Sequence, residues 1–167
     1  MTLKQKIQQD TKLALKEKRE IEVSTLRMLL SAAVNKEKEK RYKISKEKPD
    51  LSGEELEKES QLVDDEVIEV VSSEVKKRKE AILEFEKGKR QDLVEKERRE
   101  LEILQKYLPE QLSEEEIREL AKEAIDKIGA KELKEMGKVM AELMPKIKGK
   151  ADGGLVSKIV KELLIGR

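Results

Sequence analysis

The sequence predicts an all-α protein, with long helical hairpins in its N-terminal part and a compact three-helix unit at its C-terminal end. Three observations carry that prediction. Leu, Ile, Val, Met and Ala recur at spacings of three and four residues, the period of a helix with one buried face. Capping signals, a Ser, Thr or Asp followed three residues later by Glu or Gln, punctuate those runs. Of the 167 residues 45% are charged, and Phe85, Tyr42 and Tyr107 are the only aromatics. That composition suits helices with solvated outer faces better than strands.

The first helix is expected to open at the capping box Thr2/Gln5, with Leu3, Ile7 and Ala14 on one face and Leu13 beside it. A second is expected over about residues 20–40, its stripe being Val23, Leu26, Leu30, Ala33 and Val34. Residues 42–51 read as a basic loop in which Pro49 forbids helix. Ser52 and Glu55 form the next capping box. The long helix after it is expected to break near Gln61 and to turn Val63, Val67, Val70, Val71, Val75, Ile82 and Phe85 inward. Gly88 would end it. Chain reversals are therefore expected within residues 41–50 and 88–92.

Asp92, with Glu95 three residues on, is expected to cap a helix whose stripe is Val94, Leu101, Leu104 and Leu108, and Pro109 would end that helix. A domain boundary is placed here, giving a long-helix hairpin domain over residues 1–108 and a three-helix domain over 109–167. Ser113 and Glu116 then cap a helix carrying Ile117, Leu120, Ala121, Ala124 and Ile128, closed by Gly129. A further helix holds Met136, Val139, Met140, Leu143 and Met144, with Pro145 near its end. Asp152 caps the last, which carries Leu155, Val156, Ile159, Val160, Leu163 and Leu164. The second domain is near the lower size limit for folding alone and is expected to lean on the first or on a partner.

Composition also excludes chemistry. With neither Cys nor His, the chain has no thiolate nucleophile, no imidazole base and no Cys- or His-based metal site. No cofactor is expected. No apolar run is long enough to span a bilayer, and no signal-peptide core is visible, so the expected location is the cytoplasm. A single Asn, no Cys and abundant Lys and Glu lean toward a thermophilic source.

The net charge of +1 hides blocks: residues 1–49 carry +7, 50–75 carry −9, 76–91 carry +4, 92–128 carry −5 and 129–167 carry +4. The plainer reading sets helices of opposite sign side by side. One block is sharper. Lys138, Lys146, Lys148 and Lys150 lie within 13 residues, and the last three occupy a glycine-bearing turn before a helix start. Such a turn is either a solvated connection or a phosphate-contact surface. Asp152, the expected cap, would repel an anion from the helix end itself. Arg27, beside an apolar stripe, reads as a boundary residue reaching an acid near Asp64, with a buried ligand-contacting cation as the alternative. Arg90 and Asp92 read as an ion pair at a helix start. The Met136, Met140, Met144 repeat reads as core filling.

Several of these segments resemble a known family. Met136-Gly137-Lys138-Val139-Met140, Lys148-Gly149-Lys150-Ala151-Asp152 and residues 156–164 are similar to the helical tail of the GatB subunit of tRNA-dependent amidotransferases. Nearly the full length resembles the stand-alone members of the GatB/YqeY family. The matching stretches include Leu26-Arg27-Met28-Leu29-Leu30, Arg78-Lys79-Glu80-Ala81-Ile82, the run from Phe85 to Leu93 and the run from Tyr107 to Glu115. Residues 44–60 look long for that family. The resemblance implies a two-part helical fold and an accessory role around tRNA. The implied partners are tRNA and an amidotransferase or another translation protein. The kinase-like catalytic domain of GatB has no counterpart here, so glutamine-dependent amide formation is a family label and not an expectation for this chain. A protein-binding adaptor without RNA contact is the second expectation.

Overall fold

The computed structural model describes residues 1–166. Among them every regular element is helical and none is a strand. They fall into two compact units, one over residues 1–107 and one from Leu108 onward.

The first unit holds α1 (Leu3–Lys16), α2 (Glu20–Glu47), α3 (Gly53–Glu59), α4 (Asp64–Lys87) and α5 (Gln91–Gln105). α1 opens with the reciprocal box: Gln5 N donates to Thr2 Oγ1 and Thr2 N to Gln5 Oε1. The next free amide, Leu3 N, donates to Asp64 Oδ1 at 2.8 Å, so the start of α4 also satisfies the start of α1. α1 packs on α2, and α4 on α5, as two helical hairpins.

Both hairpins turn in the same way. Lys18 and Lys89 have positive φ (58° and 54°). Arg19 N then donates to Ala14 O, and Arg90 N to Phe85 O, each at 2.9 Å. This is the six-to-one closure of a Schellman-type cap. Gly88 ends α4 as expected, as its C-cap, but its φ of −77° is ordinary and the left-handed residue is Lys89. Asp92 is not a cap. Arg90 holds that position, and Asp92 lies one step inside the helix, chelating Arg90 through Nε at 3.1 Å and Nη2 at 3.0 Å. α5 ends at Gln105, before Pro109 is reached.

α2 runs to Glu47, beyond the expected end, so half of the expected basic loop is helix. Lys48, held out of α-geometry by Pro49, is its C-cap. Nothing before Pro49 breaks the helix, and its basic end lies against acid. Lys48 pairs with Glu59 and Lys40 with Glu66, both at 2.7 Å, and Arg41 donates to Gly53 O. The opposite charge blocks do lie side by side.

The buried face of α2 is Leu26, Leu29 and Ala33, with Val23 and Thr25, whereas Val34 is 40% exposed and Leu30 half-buried. Val23, Leu26 and Ala33 of the expected stripe are buried, but Leu29 takes the place of Leu30, because steps of three and four are equally helical and Leu29 and Leu30 offer both. Thr25 enters the core because its hydroxyl donates to Ile21 O. Leu13 and Val63 are exposed, against expectation, and Phe85 is half-buried. Val63 is the N-cap of α4, while Leu62 before it fills the core.

The second unit holds α6 (Glu114–Ile128), a single 3-10 turn (Leu133–Glu135), α7 (Met136–Ile147) and α8 (Gly153–Ile165). Its core is drawn from its own residues, among them Ile117, Ala121, Ile125, Val139, Leu143, Val156 and Ile159. Gly129, at φ 71°, ends α6 in the left-handed conformation expected of it. Met136 and Met140 pack against this core, but Met144 is 47% exposed, so the methionine repeat is only partly core filling.

Candidate nucleic-acid interface

The basic turn is shaped by how α7 stops. Pro145 lies inside its last turn and Lys148 is its C-cap. Gly149 then takes φ 72°, which a β-carbon would disfavour. The amides of Lys150 and Ala151 both fold back onto Ile147 O, at 2.8 and 3.1 Å. The side chains of Lys146, Lys148 and Lys150 are all exposed.

Of the two acids nearest the turn, one pairs with a lysine of the turn itself and the other with Lys127. Glu123 meets Lys146 at 3.8 Å, near the outer limit of an ion pair. Glu142 is bound by Lys127 at 2.5 Å. That hydrogen bond, then the Lys127 charge, hold its carboxyl below the ordinary glutamate range, against a small opposing effect of burial, and the Lys146 charge adds to the lowering. The turn therefore keeps a positive local field.

Lys138 sits apart from this group. It lies in the first turn of α7, eight residues before Lys146, which is about 12 Å along the helix axis. The structure brings three of the four candidate lysines onto one turn and leaves the fourth at the other end of the helix. The start of α8 is closed to an anion, as Asp152 implied: its Oδ1 accepts from Leu155 N at 3.0 Å. Any phosphate contact is left to side-chain ammonium groups.

Two residues at this turn were not foreseen as part of it. Gln111 donates from Nε2 to Gly149 O at 2.7 Å and to Pro109 O at 2.8 Å, and Leu112 N donates to Lys150 O at 2.8 Å. The Leu-Pro-x-Gln-Leu segment, read in sequence as a boundary and as part of the family resemblance, is a strap across the turn. No local pattern announces this, because the partners lie 38 residues apart.

Other candidates resolve differently. Arg27 is exposed and borders a hollow of about 330 Å³ with Leu15, Lys18 and Val23, which removes the buried-cation reading. Asp64, near which its acid was expected, accepts from Leu3 N. Tyr107 is buried and donates to Asp10 at 2.8 Å; burial, then that carboxylate, push its phenol well above the ordinary range. Tyr42 is exposed, with Lys46 Nζ 5.4 Å above its ring. No aromatic ring lies within residues 136–154, so the turn offers charge and backbone shape but no stacking platform for a base.

A buried ionic cluster in the first unit was also missed. Arg78 Nε lies 2.8 Å from Glu100 and 3.4 Å from Glu97, and its Nη1 lies 3.4 Å from Glu74. Among the described residues no group of His, Cys, Asp and Glu is disposed to hold a metal, and no helix is long and apolar enough to cross a membrane.

Comparison with known proteins gives one family and two relatives. Residues 36–164 match the family described as Yqey-like protein. A protein of Pyrenophora tritici-repentis named altered inheritance of mitochondria protein 41, mitochondrial, is 40% identical over 99 residues, which are 57% of this chain and 54% of the relative. An uncharacterized protein of Schizosaccharomyces pombe is 45% identical over 47 residues, 28% of this chain and 38% of the relative. The chain thus spans about half the length of the first relative and less of the second.

Proposed function

This chain belongs to the YqeY-like family, and from that premise we propose that it is a helical accessory protein, without catalysis of its own, that contacts tRNA through the turn over residues 146–150. The observation that carries the reading is the display of Lys146, Lys148 and Lys150 on one exposed turn whose backbone is tied down on both sides. Lys138 contributes as an outlying cation. The service is to a tRNA-dependent amidotransferase or another step of translation. The compartment is the cytoplasm.

Three ammonium groups act as point charges toward phosphate, so binding reads backbone and not sequence. For wild type, the logarithm of tRNA affinity should fall with that of salt with a slope between about −2 and −3. Replacing all three lysines by Glu should weaken binding at low salt, similarly for different tRNAs, and the effect should shrink as salt rises. Binding titrations at two salt concentrations, with thermal melting as the fold control, make the test. Equal affinities for wild type and the triple variant at low salt would remove this surface from consideration.

A second reading has its own observation. Leu15 and Ile21 are exposed beside the α1–α2 turn, flanking two hollows bordered by Lys18 and Glu20. That surface suits a protein-binding adaptor, whose affinity would depend far less on salt. Failure of wild type to bind any tRNA would favour it.

A further inference from the structure

The basic turn has a weakness that its lysines cannot remedy. Gly149, between Lys148 and Lys150, has a backbone free to leave its left-handed conformation. A flexible loop presents charges in many arrangements, and ordering it on binding costs affinity. Within the turn, the amides of Lys150 and Ala151 converge on Ile147 O, while the carbonyls of Gly149 and Lys150 are met from outside it.

We infer that Gln111 is a positioning residue for the basic turn: it binds no ligand, but holds the backbone that presents Lys146, Lys148 and Lys150 to phosphate. This rests on the tRNA reading above. The geometry is specific to a carboxamide. Both Nε2 protons are used, one on Pro109 O at 2.8 Å and one on Gly149 O at 2.7 Å. The first bond fixes the side chain on its own segment and the second fixes the turn on the side chain. Leu112 N donates to Lys150 O one residue further along both segments. Two consecutive carbonyls of the turn are thus gripped by two consecutive residues of the strap. Gln111 is exposed, so it fills no core space, and replacing it leaves no cavity. Its contribution lies in orientation.

The test uses the full chain with Gln111→Met, which keeps length and neutrality but removes the donor, and Gln111→Glu, which sets a carboxylate against two carbonyl oxygens. Amide hydrogen exchange reads the turn without any RNA. Exchange at Leu112, Lys150 and Ala151 should quicken in both variants while the melting temperature changes little. tRNA affinity should fall roughly threefold to tenfold in Gln111→Met, the scale of one lost hydrogen bond. The salt slope should match wild type, because no phosphate contact has been removed. A purely structural Gln111 would lower the melting point and leave the affinity of folded protein unmoved, which overturns the inference. Unchanged exchange in both variants overturns it as well. If Gln111→Met loosens the turn but binds tRNA as wild type does, the positioning role fails and the lysine reading stands. If wild type binds no tRNA, both fail together.

Discussion

At the scale of single residues, the charges are not interchangeable, and the sequence hides which of them matter. Arg78 stands in a run of four cations, Lys76-Lys77-Arg78-Lys79, that reads as a solvated face. Its side chain is 12% exposed, and it is ringed by Glu74, Glu97 and Glu100, with 10%, 18% and 6% exposure. Lys77 and Lys96 also reach this cluster, but from side chains that are 61% and 62% exposed, so water screens them and they cannot substitute. Removing Arg78 leaves the nearly buried Glu100 without its nearest cation and Glu74 with only the exposed Lys77, 2.6 Å away. Arg78→Met should destabilise the protein by about 3 kcal/mol, measured by denaturant unfolding. Adding Glu74→Gln and Glu100→Gln should restore more than half of that loss, since it is uncompensated charge and not lost packing that costs most. A single variant within about 1 kcal/mol of wild type would mean that the cluster is only a surface network. The two lysines with positive φ were equally illegible, because glycine is what sequence reading looks for at a left-handed turn. Lys18 and Lys89 hold it instead, at a cost of about 1–2 kcal/mol each.

At the scale of elements, legibility followed chemistry that is local. The boxes Thr2/Gln5, Ser52/Glu55 and Ser113/Glu116 and the Asp152 cap are all formed, because donor and acceptor lie within three residues of one another. The start of α5 was misread for the opposite reason: Arg90 gives no side-chain cap, and the preceding turn fixes where the helix begins. Boxes closed by Glu also carry a pH dependence. Glu116 Oε2 accepts from Ser113 N at 2.7 Å and from Ser113 Oγ at 2.9 Å. The backbone bond first, then the hydroxyl, hold its carboxyl below the ordinary value of 4.5, with burial opposing only slightly. A depressed pKa stabilises the fold above the unfolded value and loses that effect as pH falls through the folded one. Glu116→Gln keeps an acceptor but cannot ionise. Its melting temperature should lie below wild type at about pH 6, with the gap closing toward about pH 3. A gap of the same size at both pH values would show that the charged form contributes nothing here.

At the scale of the whole molecule, the helical class stood on long, regular patterns, the family resemblance on short specific segments, and the candidate site on four lysines, Lys138, Lys146, Lys148 and Lys150. The strap that shapes the site was out of reach, since only folding brings Gln111 to Gly149. The distribution of committed charge bears on where nucleic acid would bind. Residues 1–49 are the most basic block of the chain at +7, and by net charge alone they would be the better candidate. Some of those cations are already engaged, Lys4 with Glu37, Arg19 with Glu22, Lys40 with Glu66 and Lys48 with Glu59, as Lys146 of the turn is with Glu123. The turn over residues 146–150 and its strap both belong to the second unit, whose buried core comes from residues 117–164. A fragment of residues 108–167 should therefore melt cooperatively as a helical body, marginal in stability for its size of about 60 residues. Its tRNA affinity should stay within about fivefold of the full chain, less than 1 kcal/mol, with the same salt slope. A fragment of residues 1–107 should bind at least tenfold more weakly despite its basic start. Circular dichroism melts establish that each fragment is folded, and titrations against one tRNA at low salt compare them. Binding confined to a folded 1–107 fragment would move the interface away from the turn and place it on the lysine-rich face of α1 and α2.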